Sequence, residues 1–336
     1  MAIIYPLLVI LTIVTGVNPI EVRNIAGSTS SDRITIVPID DMDNTSSEDA
    51  LSLLSAEIEQ NGLLRPNDPF YSKQWALDQM HITTLWNITT GCREVLIAIL
   101  DTGIDHDHED LKGKVVAEVN FTDSPSINDI NGHGTHIAGI IAATANNGLG
   151  VAGLVPTSKL MNVKVADDYG FCQTATVARG IIWAVDNGAN VINISIEIRN
   201  PLVDLEQAVN YAWEHGALII AAAGNHGNES AIYPAYYENS IAVAATQPNN
   251  TLAPLSNYGN WVDMAAPGFN IYSTLPGNKY GYETGTSFAT AYVSGLAAIF
   301  LTIVSDTNGN GRLNDEVRSA IEGSFYRMDY AFIYGK

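Results

Sequence analysis

Hydrophobic positions along this chain fall into two patterns that take turns. Predominantly apolar runs of strand length occupy residues 95–100, 160–165, 190–194, 217–222 and 240–245, the first of them continuous. Such runs predict strands buried on both sides. Between and after them, apolar residues recur every three or four positions over 133–145, 173–187, 203–215, 287–304 and 315–322, which predicts helices. Strands alternating with helices predict an α/β fold, three-layer αβα, with helices on either side of a mainly parallel sheet.

The ends break the alternation. Residues 3–17 are almost entirely apolar, short for a membrane span and of the right length for the core of an export signal. No Lys or Arg precedes them and no Ala-x-Ala follows, so 1–17 reads as a signal peptide or a membrane anchor. From 18 to 66 the chain turns acidic and polar, with strand-like pieces at 33–38 and 54–59, and the linker alternative stays open there. The third division is 67–336, where 336 residues in all suffice for one large core.

Charge removes one class of partner. With 16 Lys+Arg against 36 Asp+Glu, the formal net charge is -20, and no nucleic-acid partner is expected. Cys92 and Cys172 are the only cysteines, permitting at most one internal disulfide, and their spacing does not say whether they meet.

Three segments carry candidate chemistry. Gly285-Thr286-Ser287 delivers a hydroxyl onto the first turn of an apolar helix, among free N–H groups that favour negative charge; taken alone, it also fits an N-cap. The run 95–100 ends at Asp101-Thr102-Gly103, putting a carboxylate at the C-terminal lip of a buried strand, where open α/β sheets hold ligands. Asn131-Gly132-His133-Gly134-Thr135-His136 sets two imidazoles at the mouth of a small-residue helix.

Asp-Thr-Gly, His-Gly-Thr-His and Gly-Thr-Ser-x-Ala in that order resemble the subtilase family of serine peptidases. The similarity runs over residues 67–334. It is strongest to the thermitase branch, through Asn67-Asp68-Pro69-Phe70-Tyr71, Tyr233-Pro234-Ala235-Tyr236-Tyr237 and Trp261-Val262-Asp263-Met264-Ala265-Ala266-Pro267-Gly268. The resemblance implies a subtilisin-like fold and a secreted serine endopeptidase. Ser287 would be the nucleophile, His133 the base, Asp101 its orienting acid, and Asn225, after the run 217–222, an oxyanion donor. His136, the second histidine of its motif, is expected to be a buried hydrogen-bonding residue. A lipase or esterase is disfavoured, because the Gly-x-Ser-x-Gly elbow is missing and the acid comes first.

The resemblance also implies a structural Ca2+ held by Asp68, Asp110 and Asn147 side chains with the Thr144, Leu149 and Val151 carbonyls, an oxygen-only set suited to a hard cation. A second metal loop around Asp123 and Asp129 matches poorly. The resemblance further implies that 18–66 is a short propeptide acting as an intramolecular inhibitor, and that the enzyme is a monomer acting on peptides or proteins. The family usually adds a closing C-terminal helix, yet this sequence stops at Tyr334-Gly335-Lys336, so either that helix is absent or the chain is truncated. Asp306-Thr307-Asn308-Gly309-Asn310-Gly311 opens like a calcium loop, but Val317 stands at its closing carboxylate, and a plain turn is expected.

Substrate contacts are implied for Gly170, Phe171, Cys172, Ser195, Ile196, Glu197, Ala222 and Gly224, and here the chain departs from its family. Ser195-Ile196-Glu197-Ile198 stands where Ser-Leu-Gly-Gly is usual, Phe171 and Cys172 replace small residues, and Ala291 replaces a proline. Glu197 is expected either to favour basic or polar P1 residues or to occlude the pocket partly. The competing functional reading is therefore a subtilisin-fold protein with an altered cleft that binds peptides and cleaves poorly.

Overall fold

The computed structural model describes residues 65–86 and 89–324. The segment expected to be a signal or anchor, nearly all of the propeptide-like segment and the chain end lie outside these residues. Seven strands form one sheet in the order β2-β3-β1-β4-β5-β6-β7: β1 Leu96–Asp101, β2 Val115–Asn120, β3 Lys159–Lys164, β4 Val191–Ile194, β5 Leu218–Ala222, β6 Ser240–Thr246 and β7 Met264–Pro267. Every pairing within it is parallel. A separate antiparallel hairpin, β8 Ile271–Leu275 with β9 Lys279–Glu283, follows.

Two short helices, α1 Trp75–Gln79 and α2 Ile82–Trp86, precede the sheet. The main helices are α3 His133–Ala142, α4 Thr174–Asp186, α5 Val203–Glu214, α6 Thr286–Phe300 and α7 Asn314–Ser324. Strand periodicity explains the layering. Along β1, Ile97 and Ile99 enter a core shared with Ile137 of α3 and Phe288 of α6, while Ala98 and Leu100 enter a second core with Val177 of α4 and Val209 of α5. The sheet therefore needs helices on both faces, and the expected three layers are present. Each fully buried Leu or Ile in these cores contributes about 1.5–3 kcal/mol.

All five expected strands and five expected helices form, with ends shifted by at most four residues. Four strands escaped the hydrophobic pattern. β2 is a half-exposed edge strand, β7 is four residues ending in proline, and β8 and β9 form a partly exposed hairpin, so none presents a long apolar run.

The helix α6 is buried along its whole length. Such a helix is fixed by packing on every side, which makes it a rigid mount for whatever its first turn carries. A polar contact ties it to the sheet: Ser294 Oγ donates to Asn193 Oδ1 on β4 at 3.0 Å.

Candidate active site

Asp101 closes β1, and His133 opens α3. Their side chains meet, His133 Nδ1 to Asp101 Oδ1, at 2.7 Å. A carboxylate oxygen accepts, so Nδ1 carries the proton and Nε2 is left as the basic nitrogen. Oδ1 also accepts from the Thr102 N–H at 2.8 Å, which helps to fix the carboxylate facing the ring. The approach is close enough to require glycine at 134. A Cβ there would stand 2.1 Å from the Gly103 carbonyl oxygen and 3.1 Å from the Asp101 Cβ.

The start of α3 is held by residues that sequence reasoning did not assign. Asp129 is buried, and its two oxygens accept from the Gly132 N–H, the Thr102 hydroxyl, the Thr135 N–H and the Thr135 hydroxyl at 2.7–2.9 Å. These bonds satisfy first-turn donors that the helix cannot satisfy internally. The legible signal was an aspartate just ahead of a helix start, a capping position rather than a metal ligand. Lys164 is the second: fully buried, it ion-pairs with Asp168 at 2.9 Å and donates to the Thr102 carbonyl, bracing the turn after Asp101. A lone lysine inside an apolar strand run was its signal.

Burial alone would lower the His133 pKa, but the Asp101 charge and hydrogen bond, helped by the Asp129 and Glu283 charges, outweigh it and hold the group above its ordinary 6.5. His136 behaves oppositely. Buried and bonded through Nε2 to the Gly281 carbonyl at 3.2 Å, it is pushed down to about 3, chiefly by desolvation. It stays neutral, as its expected structural place requires.

Ser287 sits in the first turn of α6, nearly buried. The ring of its neighbour Phe288 lies 5.5 Å from that of His133 and 4.7 Å from that of His136, so the two helix starts adjoin. Asn225 follows β5 and reaches the same turn: its Oδ1 accepts from the Thr286 N–H at 2.8 Å and the Thr286 hydroxyl at 3.2 Å. Those bonds orient the amide, whose Nδ2 donates one proton to Glu197 Oε1 at 3.0 Å and keeps a second. Gly224 turns the chain here with φ +101°, and an added Cβ would meet Asn257 Nδ2 at 2.6 Å. On the far side, the Ser195 hydroxyl donates to the Ser287 carbonyl at 3.3 Å.

Asp101, His133, Asn225, Ser287, Ser195, Ala222 and Gly224 thus belong to one neighbourhood at the C-terminal ends of β1, β4 and β5. A base held by a carboxylate, a hydroxyl in the first turn of the adjoining helix and an oriented amide are the groups that acyl transfer uses.

Similarity agrees with this chemistry. The subtilase family model matches residues 93–322. Thermitase of Thermoactinomyces vulgaris is 44% identical over 261 residues, 77% of this chain and 91% of that protein. The chain belongs to the subtilase family. Two further relatives are Subtilisin Savinase of Lederbergia lenta, 43% identical over 79% of this chain and 95% of its own, and a thermophilic serine proteinase of Bacillus sp. (strain AK1), 43% identical over 78% of this chain and 64% of its own. This subtilase is accordingly classed with the subtilisin-like serine endopeptidases.

The remaining expected substrate residues lie on two segments. Cys172 bridges Ala166 across a tight turn through Gly170, and exposed Phe171 stands beside an open cavity that Ser124, Val165, Thr176 and Arg179 help to line. Neither cysteine is bonded: Cys92 and Cys172 are both free. Burial, then the Asp101 and Asp167 charges, push the Cys172 thiol up, which favours its protonated form. Ile196 and Ile198 turn into the core, so the alternate residue Glu197 faces the cleft. There its Oε1 accepts from the Asn225 N–H at 2.8 Å and from Asn225 Nδ2 at 3.0 Å, and its Oε2 pairs with His226 Nε2 at 2.8 Å.

The expected calcium ligands also assemble in part. Asp68 and Asp110 are buried, and Asn147 Nδ2 donates to Asp110 Oδ1 at 2.8 Å. Asp68 accepts from the Asn146 and Asn147 N–H groups, and Asp110 Oδ2 from the Val151 N–H at 2.8 Å. Burial above all pushes the Asp68 carboxyl up, those N–H bonds oppose it, and the Asp110 charge adds to the rise. Two buried carboxylates that repel suit a hard divalent cation, but Asn147 turns its Nδ2 to Asp110 while its Oδ1 accepts from the Leu149 N–H at 2.7 Å, so its expected role as an oxygen ligand requires the amide to turn over. Among the described residues no group of three or more His, Cys, Asp or Glu forms a metal cluster, so the rest of any shell would be amide and carbonyl oxygen. The loop 306–311 is the expected turn, with Asp306 accepting from the Gly309 and Gly311 N–H groups.

Proposed function

We propose that this subtilase is a secreted, monomeric serine endopeptidase made with its own inhibitory propeptide, working through Asp101, His133 and Ser287 with Asn225 as an oxyanion donor. The observation that carries the reading is the 2.7 Å His133–Asp101 bond at the mouth of the helix adjoining Ser287. Ser287 Oγ attacks the scissile carbonyl while His133 Nε2 takes its proton. Asn225 Nδ2 and the Ser287 N–H receive the tetrahedral oxyanion. The imidazolium, stabilised by Asp101, then returns the proton to the leaving amine, and water repeats the cycle on the acyl enzyme.

This assignment has a pH signature. The base form of His133 is populated only as pH rises through its raised pKa, so the acid limb of kcat/KM is expected above pH 6.5. The stability that the charged pair contributes is complete below the unfolded value of 6.5 and is lost as pH rises through the higher folded pKa. Asp101→Asn should move the limb down and cut kcat by about 10,000-fold. Peptide hydrolysis followed across the neutral range tests both, and a limb below 6.5 in the unaltered enzyme contradicts the assignment.

Asp68, Asp110 and Asn147 would hold Ca2+ together with the Thr144, Leu149 and Val151 carbonyls. The ion would tie the segment at Asp68 to the loop after α3 by neutralising carboxylates that otherwise repel. At calcium about a hundredfold above its Kd, about 2.7 kcal/mol of stability follows, or about 5–10 °C in Tm for a domain of this size. In Ser287→Ala protein, which cannot digest itself, chelation should lower Tm by that amount, and Asp110→Asn should abolish the difference.

A second reading, peptide binding with poor cleavage, is favoured by one contact, the Glu197 carboxylate on Asn225 Nδ2. Turnover of casein, with Ser287→Ala as the control, separates the two.

A further inference from the structure

Glu197 raises a conflict that the peptidase reading does not resolve. One Nδ2 proton of Asn225 is held by Glu197 Oε1 at 3.0 Å, and the same oxygen takes the Asn225 N–H at 2.8 Å. The amide cannot swing to escape, because its Oδ1 is tied to the Thr286 N–H and hydroxyl. An oxyanion using the remaining Nδ2 proton would therefore build one amide away from a carboxylate. Like charges separated by a single amide oppose each other even at this solvent-exposed contact.

Relief has to come from a cation, and the substrate is positioned to bring one. A carbonyl whose oxygen accepts from Asn225 Nδ2 at about 3 Å has the Cα of its own residue one bond from the reacting carbon. That residue is P1, and a lysine or arginine stem starting there spans the short distance to Glu197. The carboxylate is accessible to it: the Glu197 side chain is 27% exposed and that of His226 37%. His226 holds only Oε2, from the side away from the amide.

Resting on the peptidase reading, we propose that Glu197 makes this enzyme selective for lysine or arginine at P1, the P1 cation drawing the carboxylate off Asn225 and so freeing the oxyanion donor. Selectivity then appears in kcat as well as in binding. An apolar P1 leaves the donor engaged, and an acidic P1 adds a second repelling charge.

The test uses peptide nitroanilides that differ only at P1: lysine, arginine, norleucine, phenylalanine and glutamate. In the unaltered full chain, kcat/KM for lysine should exceed that for its isostere norleucine at least tenfold, about 1.4 kcal/mol, with glutamate poorest. Glu197→Gln should bring the lysine-to-norleucine ratio near one while raising norleucine turnover. A flat ratio in the unaltered enzyme, or one that Glu197→Gln leaves unchanged, overturns the proposal. Calorimetry on Ser287→Ala reads the same preference without turnover. There the lysine peptide should bind at least tenfold more tightly than the norleucine peptide, the difference disappearing when Glu197→Gln is added; equal Kd values overturn it. Loss of all turnover in the unaltered enzyme would instead count against the peptidase reading.

Discussion

Ser287→Ala is expected to lower kcat by about a million-fold while leaving the fold and peptide binding in place. In the proposed mechanism the Ser287 hydroxyl forms the acyl intermediate, and the buried helix should keep its shape when one oxygen is removed. Residual hydrolysis would reflect binding and the oxyanion donors acting on water. His133→Ala in the same background should add little further loss, because base and nucleophile act as a unit. Active-site titration and single-turnover assays with matched protein concentrations measure both. A Ser287→Ala protein retaining a tenth of the original kcat would remove the serine from the mechanism.

The second large effect is assigned to Asn225. Asn225→Leu keeps the branching of the side chain and removes both the amide donor and the Oδ1 acceptor of Thr286. Loss of one oxyanion donor costs about 100- to 1,000-fold in kcat, about 3–4 kcal/mol. KM should change little, since the charge it serves develops only in the transition state. The Thr286 N–H is the bond also lost, so a thermal melt belongs beside the kinetics. A fall in Tm of a few degrees with kcat intact would make Asn225 a helix-capping residue only.

The sequence carried the sheet centre and the site for the same reason. β1, β4 and β5 are buried on both faces, so they appear as predominantly apolar runs, and the motifs at their ends mark where the expected groups should lie. Edge strands are different: β2 alternates with solvent, and its pattern is diluted by Glu118. Asp101, His133, Asn225 and Ser287 could be proposed from the sequence because the chemistry assigned to them restricts residue types, and the structure brings Asp101 to His133 and Asn225 to the turn that carries Ser287. Asp129 and Lys164 could not be, because they act on groups of Gly132, Thr135 and Thr102 that only the fold brings to them.

Glu197 was half readable. Its departure from a glycine pair marked it as a cleft residue. That its carboxylate would reach the Asn225 amide and His226 depended on Ile196 and Ile198 turning inward and on the β4 and β5 ends lying side by side. The same adjacency distinguishes this subtilase from a merely narrowed cleft, since the carboxylate touches the donor rather than filling a space.

The central claim is that one serine, activated by an Asp101-held imidazole, forms a covalent bond with the substrate carbonyl. Peptide mapping by mass spectrometry after reaction with a peptidyl diphenyl phosphonate measures it directly. A single adduct on Ser287, absent in Ser287→Ala and slowed by several orders of magnitude in His133→Ala, is the predicted result. Labelling at another residue, or labelling of Ser287 at an undiminished rate without His133, would contradict it.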